Sequence, residues 1–218
     1  MKKVLALFLL VCFAYANVDS IVIKSASAFD RFMALPEEQI PPKLLRKAKA
    51  IAIIPNLIRG GFIAGARYGK GVLLVRTQNG WSDPVFVKLY GASLGWQIGL
   101  ESIDVVLIFT DMTSVQKLLS GSLTLAADAS IAVGPVGRAA SVGTDFSAQI
   151  LSYSRSMGAY VGIALAGATL EVDFDKMAQA YRCDSSKIYL VIQGKCRLNN
   201  QFVQILKDKI NRYSAWHE

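Results

Sequence analysis

The chain contains one short motif that could support nucleophilic chemistry. The segment Gly91–Gly95, Gly-Ala-Ser-Leu-Gly, has the spacing of a nucleophile elbow in which Ser93 would attack an acyl carbon and His217 would be its base. An elbow needs a helix after the serine, whereas Gly95–Gly99 alternates like a strand. His217 is the only histidine and is next to the C-terminal residue, where chains fray. A serine hydrolase is therefore the least favoured alternative, and we predict a protein that is not an enzyme.

A second glycine-rich phrase, Gly65–Gly71, resembles a phosphate-binding loop but fails its requirements. The glycines are one residue too close together, and Gly71 stands where a serine or threonine must bind magnesium. The following Val72–Val75 is strand-like, whereas a phosphate loop leads into a helix. We therefore predict no nucleotide, no cofactor and no nucleic acid as ligand.

The cysteines indicate a disulfide, and they do not indicate a metal site. Cys183 and Cys196 are an even pair beyond the N-terminal segment, and in an oxidising compartment they would close a loop of about 14 residues, worth roughly 3 kcal/mol. Two free thiols are the alternative. Zinc would need more ligands than these cysteines and a distant histidine supply.

The first residues have the pattern of a secretory signal peptide. Lys2 and Lys3 precede an apolar run, Val4–Phe13, and Ala14–Ala16 supplies a small-x-small cleavage site. We expect residues 1–16 to be a signal peptide and residues 17–218 to be one exported, periplasmic domain, with an uncleaved anchor as the alternative. The whole chain has a net charge of +8, and without Lys2 and Lys3 the remaining domain has 22 basic against 16 acidic side chains, or +6. This excess favours an anionic membrane surface as partner, although a basic surface can also serve solubility alone.

Two predicted N-terminal helices carry the candidate membrane contacts. Apolar residues recur at helical spacing over residues 18–34, and a short second helix follows Pro41 and Pro42. An amphipathic helix beside basic residues is typical of peripheral membrane binding, but the same apolar face could pack on the protein core. The predicted lipid-binding residues are Phe29, Phe32 and Met33 for acyl chains and Lys43, Arg46, Lys47 and Lys49 for phosphates.

The middle of the chain is predicted to form a β-sheet. Residues 50–54 form a buried strand that we expect Pro55 to stop, and Asn79-Gly80 is a hairpin signal between 72–75 and 85–87. Glycines within strand-like segments indicate bulges, bends or close backbone approach. Further strands are expected near 92–100, 103–110, 122–133, 146–153 and 158–171.

Caps and periodicity locate the remaining elements. Asp111 should cap a helix ending at Gly121, and Asp173 should cap a helix over 174–181. A strand is expected over 187–192, and a final helix over 200–213. The predicted fold is α+β: a curved antiparallel sheet system, barrel-like or sandwich-like, packed by N-terminal helices and a C-terminal helix.

Seven short sequence motifs follow one another along the chain, beginning at Ala48, Gly61, Gly80, Gly95, Asp104, Ala127 and Tyr153. In this order they resemble the SYLF lipid-binding domain family. The resemblance covers about residues 40–172 and leaves 173–218 as a C-terminal extension. Ala126 replaces an expected glycine, and the segment around Tyr181 lacks the usual tyrosine-glycine ending.

Membership would imply non-catalytic binding of phospholipid, often phosphoinositide, aided by an amphipathic N-terminal helix. The eukaryotic branch includes actin-bundling proteins, but we do not expect actin as a partner of an exported bacterial protein. A structural or interaction protein of the cell envelope, without lipid binding, remains the main alternative.

Overall fold

The computed structural model describes residues 2–137, 147–156, 159–161, 163, 165–184 and 187–215, with side chains described outside 2–17, 61–64 and 93–99. Within these residues a strongly curled, half-barrel sheet is packed by an N-terminal helix and a C-terminal helix, which confirms the predicted α+β class. The core is one cluster of buried aliphatic and aromatic side chains from both the sheet and the helices.

Two helices precede the sheet. Helix α1 spans Lys2–Met33 and so continues through the predicted signal segment. Helix α2 spans Pro42–Lys47, with proline at its first position, where the missing N–H costs nothing. Its apolar side, Leu44 and Leu45, is buried. Both predicted N-terminal helices are therefore present.

Two long antiparallel strands form the centre of the sheet. Strand β1 spans Ala50–Thr77 and β3 spans Val85–Phe109, and they pair from Ala50↔Phe109 to Leu73↔Val85. The short β2, Gly80–Trp81, pairs with the end of β1, so the predicted hairpin forms with its turn at residues 78 and 79.

The prediction that Pro55 ends the first strand was wrong. Strand β1 runs through this proline, and the register with β3 shifts between Ile54 and Leu57. Asn56 has φ of +51°, a conformation that asparagine tolerates better than most residues. The bulge accommodates Pro55, which has no backbone N–H, because a bulged residue need not donate a hydrogen bond to the ladder.

Strand β1 also folds back over itself. A Cβ atom added at Gly71 would lie 2.0 Å from the carbonyl oxygen of Ile53, and one at Gly69 would lie 3.1 Å from Cα of Leu57. A straight strand would separate residues 57 and 69 by about 40 Å at ~3.3 Å per residue. Residues 58–67 of β1, paired with 91–102 of β3, therefore leave the body of the sheet and return to it; we call this paired segment the arch.

The remaining strands extend the sheet on either side of the arch. Strand β8, Thr169–Val172, pairs with β3 over Val87–Tyr90 and also with β4, Ser122–Thr124. Strand β6, Ile150–Ser156, pairs with β3 over Ile103–Phe109. Two short strands border β6: β5, Ile131–Val133, in parallel, and β7, Ala159–Tyr160, antiparallel.

The later helices follow the predicted caps. Helix α3, Met112–Leu119, is capped by Asp111, which accepts a hydrogen bond from the Ser114 N–H. Burial pushes the pKa of Asp111 upward, but its hydrogen bonds from Ser114 and Gln149 outweigh that effect and lower it. Helix α4, Phe174–Ala180, is capped in the same way by Asp173, as predicted.

The C-terminal extension differs from prediction in one element. Residues Ile188–Ile192 form the short helix α5, so the strand expected over 187–192 was wrong. Cys183 and Cys196 form the predicted disulfide around it. The final helix α6, Gln201–Ser214, is capped by Asn200 and buries Val203, Leu206 and Ile210.

Candidate functional site

The apolar side chains predicted to meet acyl chains lie inside the protein. Phe29 and Phe32 are fully buried and Met33 is 5% exposed, all within the core cluster. This is the core packing that the sequence left as the alternative for this helix. A membrane could reach these three side chains only if α1 left the sheet.

Several polar contacts fasten α1 to the rest of the molecule. The Arg31 guanidinium lies 2.6 Å from the Asp104 carboxylate on β3. Asp30 pairs with Lys209 of α6, and Asn200 donates a hydrogen bond to Asp19. Phe29 also packs edge-to-face on Tyr213 of α6, with ring centroids 6.3 Å apart. The helix is therefore held from the sheet side and from the α6 side.

The predicted cations, by contrast, are at the surface. Lys43 and Lys47 lie one turn apart on α2 and are exposed, as is Lys49 just before β1; Arg46 is half-buried. We call Lys43, Lys47 and Lys49 the lysine patch. None of the ion pairs among the described residues includes any of them. Their charge is thus available to an external anion.

Arg76 positions the helix that carries the patch. Its guanidinium donates hydrogen bonds to the carbonyl oxygens of Ala48 at 2.8 Å and Leu45 at 2.7 Å, and it stacks 4.2 Å above the Trp81 ring. A cation at the C-terminal carbonyls of a helix also complements the helix dipole. Burial lowers the pKa of Arg76. Sequence reasoning missed this role, because the contact spans 31 residues.

The arch presents exposed apolar side chains that the sequence analysis did not assign to the site. Leu100 is 85% exposed and Ile58 is 46% exposed. The register pairs Ile58 with Ser102 and Gly60 with Leu100, so the two apolar side chains lie on one face of the ribbon as diagonal neighbours. The glycine-rich, uncharged segments 60–66 and 91–100 were a signal that could have indicated this surface.

One end of the arch is bordered by tyrosines and then by lysines. Tyr68 and Tyr90 are cross-strand partners and both are exposed; two residues further on, Lys70 faces Lys88 on the same side. Lys88 lies 3.1 Å from Glu171 and Lys70 lies 3.3 Å from Asp173. Hydrogen bonds from Tyr90 and Lys88 lower the pKa of Glu171. The hydrogen bond between Lys88 and Glu171 raises the pKa of Lys88.

The structure gives no support to the hydrolase alternative. Ser93 pairs with Gly65 inside β3, which continues as strand on both sides of the serine, so the strand-turn-helix geometry of an elbow is missing. Its side chain and His217 lie outside the described residues. Within the described ranges no cluster of histidine, cysteine, aspartate and glutamate could hold a metal ion. No helix in the searched part of the chain is long and apolar enough to cross a membrane.

A separate cleft of about 1230 Å³ lies between the β1–β2 turn and helices α3, α5 and α6. Amide side chains such as Gln116 and Gln204 line it, and they can accept and donate hydrogen bonds. Its cations already have acceptors within the protein: Lys207 lies 3.0 Å from Asp83, Arg76 donates to Ala48 and Leu45, and Arg197 donates to the Gly194 carbonyl.

Comparisons with known proteins agree on one family. The family described as Ysc84, Las17-binding protein actin regulator, matches residues 90–213. The SH3 domain-containing YSC84-like protein 1 of Xenopus laevis is 31% identical over 189 residues, covering 83% of this chain and 56% of that protein. The LAS seventeen-binding protein 3 of Saccharomyces cerevisiae is 29% identical over 167 residues, covering 74% of this chain and 36% of that protein.

The likeness covers one part of these relatives. The chain spans between about a third and somewhat over half of the length of the curated relatives it matches. No solved structure is significantly similar to it. The family is described as one of binding proteins and regulators, and its description names no enzymatic activity. Order of motifs, fold and relatives together show that the chain belongs to the Ysc84, or SYLF, family.

Proposed function

We propose that this protein binds anionic membrane phospholipid without catalysis, as a peripheral protein exported to the cell envelope. The observation that carries the proposal is the lysine patch: Lys43, Lys47 and Lys49 are exposed and have no ion pair among the described residues. A basic side chain near an anionic surface contributes about 1 kcal/mol to binding. The patch can therefore hold the domain at a membrane while α1 stays docked on the sheet.

The predicted signal peptide supports the export part of the proposal. Its n-region, apolar run and cleavage site are all at the spacing that secretion requires, and a disulfide such as Cys183–Cys196 persists in oxidising compartments. Anionic phospholipid of the envelope is the surface that an exported domain of net positive charge would meet first.

A protein partner is the second candidate function. The matching family is described as an actin regulator, and one yeast relative is named for binding Las17. An acidic protein surface would be attracted by the same lysine patch. The expectation that actin is not a partner depends on the predicted export alone, so actin belongs in the test.

Flotation of the purified protein with vesicles tests the lipid proposal at the level of residues. Lys43→Gln with Lys47→Gln removes two charges and should weaken binding to phosphatidylglycerol vesicles by about 2 kcal/mol, roughly thirty-fold. Lys24→Gln with Lys195→Gln is the matched control, because both lysines are exposed and lie outside the patch. The control should bind as the unsubstituted protein does.

The outcomes separate the candidates. Equal weakening by both double variants would show that only net charge matters and would overturn the patch as the site. A protein that sediments with filamentous actin but floats with no vesicle would favour the protein-partner function. Circular dichroism should show the same fold for both variants, because the replaced side chains are exposed.

A further inference from the structure

The arch is the least supported part of the sheet. Between residues 91 and 102, β3 pairs with β1 alone among the described residues, while the flanking parts of β3 also pair with β8 and β6. The contact of Gly69 with Leu57 closes the base of the arch. The segment between these two residues therefore stands out from the packed body, held by its own ladder.

The arch has the composition of a surface that avoids water. The middle of the arch, residues 60–66 of β1 and 91–100 of β3, contains no ionisable side chain; the charged residues Arg59, Arg67 and Glu101 lie toward its two feet. Leu100, at 85% exposure, is the most exposed large apolar side chain of the described residues, and Ile58 adjoins it on the same face. Exposed apolar surface of this kind marks an interaction site in a folded protein.

The order of side chains along the arch points to one class of partner. On one leg the uncharged middle of the arch is followed by the buried Arg67, the exposed Tyr68–Tyr90 pair and then the Lys70–Lys88 pair with its carboxylate partners. On the other leg it is followed by the cross-strand partners Arg59 and Glu101 and then by Ile58 and Ser102. A bilayer presents hydrocarbon, then the headgroup interface, then charged groups and water. Tyrosine is enriched at that interface because it has an apolar ring and a polar end. Charged and amphipathic side chains therefore border the uncharged middle of the arch on both legs, as headgroups border the hydrocarbon.

We infer that the arch is a membrane-insertion element, which places its uncharged middle, with Leu100, at the boundary between the headgroups and the acyl chains and places Ile58 and the Tyr68–Tyr90 pair, at its two feet, in the headgroup interface. This inference rests on the proposed phospholipid function and adds a hydrocarbon contact to it. It also replaces the buried face of α1 as the source of that contact. The lysine patch lies beside the other end of these strands, next to Ala50 and Phe109, so the arch is a separate contact: the patch supplies electrostatic attraction and the arch supplies apolar contact.

The depth of insertion is limited by backbone hydrogen bonding. The outer edge of β3 over residues 93–102 has no strand partner among the described residues, and backbone N–H and C=O groups without partners are costly in hydrocarbon. The arch therefore enters only the boundary between headgroups and acyl chains, where water still reaches the backbone. A peripheral protein needs no greater depth.

The test replaces the two apolar side chains and keeps the charge. Ile58→Ser with Leu100→Ser should weaken binding of the full chain to phosphatidylglycerol vesicles about tenfold or more, since each side chain loses its transfer into an apolar phase. Ile205→Ser, at 44% exposure on α6, is the matched control and should leave binding unchanged. All three positions are exposed, so the thermal unfolding midpoint should change little.

Salt separates this inference from the proposed function. At about 0.5 M NaCl the lysine contribution is screened, and the residual binding should depend on Ile58 and Leu100. Unchanged binding of the double serine variant would overturn the arch as the insertion element while the phospholipid function stands. Binding of no vesicle by the unsubstituted protein would overturn the function itself. A dimer in solution that the double variant dissociates, with vesicle binding intact, would assign the arch to self-association and also overturn the inference.

Discussion

At the scale of single residues, glycine sets the path of the chain more than any polar side chain does. The sequence analysis expected close backbone approach in the glycine-rich middle, and the structure shows it at Gly69 and Gly71. The sequence could not show which backbone segment approaches these glycines, because Ile53 and Leu57 lie far from them along the chain. That partner depends on the curl of the whole ribbon.

Replacement of Gly71 tests this close approach. In Gly71→Ala the new Cβ would lie 2.0 Å from the Ile53 carbonyl oxygen, so the two halves of β1 must separate. We expect the free energy of unfolding to fall by about 2 kcal/mol or more, as for overpacked cores. Urea denaturation measures it, with exposed Ser102→Ala on the facing strand as control. A variant as stable as the control would contradict the fold-back of β1.

At the scale of elements, hydrophobic periodicity predicted where the helices lie better than it predicted what each helix packs against. The apolar face of α1 was recognised, but its spacing is the same whether the face meets lipid or core. Only tertiary packing on α6 and the sheet decides it, through contacts such as Phe29 on Tyr213. The strand expected over 187–192 failed for a related reason: a short β-branched run carries no clear period, and the disulfide-closed extension accommodates it as a helix turn.

The burial of α1 leads to a prediction about stability. Phe29→Ser removes a fully buried ring and should reduce the free energy of unfolding by about 3–5 kcal/mol. Ile23→Ser on the exposed side of the same helix is the control and should cost far less, because that side chain is 42% exposed. Chemical denaturation of both variants measures the difference. A stable Phe29→Ser protein that no longer floats with vesicles would show instead that α1 is the membrane contact.

At the scale of the whole molecule, the fold class and family could be read from the sequence, but the site only in part. Glycine-rich segments and helix-capping residues predict the curved sheet and its helices. The basic residues after Pro42 predict the lysine patch. The apolar contact could not be placed, because α1 and the arch are both apolar in sequence and only the fold decides which is covered. In the folded chain, the lysine patch and the exposed apolar side chains Ile58 and Leu100 belong to separate elements.

The most direct test of the account is flotation of the unsubstituted protein with two kinds of vesicle. We predict that it floats with phosphatidylglycerol vesicles at about 50 mM NaCl and binds phosphatidylcholine vesicles much more weakly. The difference in binding between the two kinds of vesicle should shrink as the salt concentration rises, because salt screens the charge of the lysine patch. Absence from both vesicle fractions at low salt would contradict the claim that this domain binds membrane phospholipid.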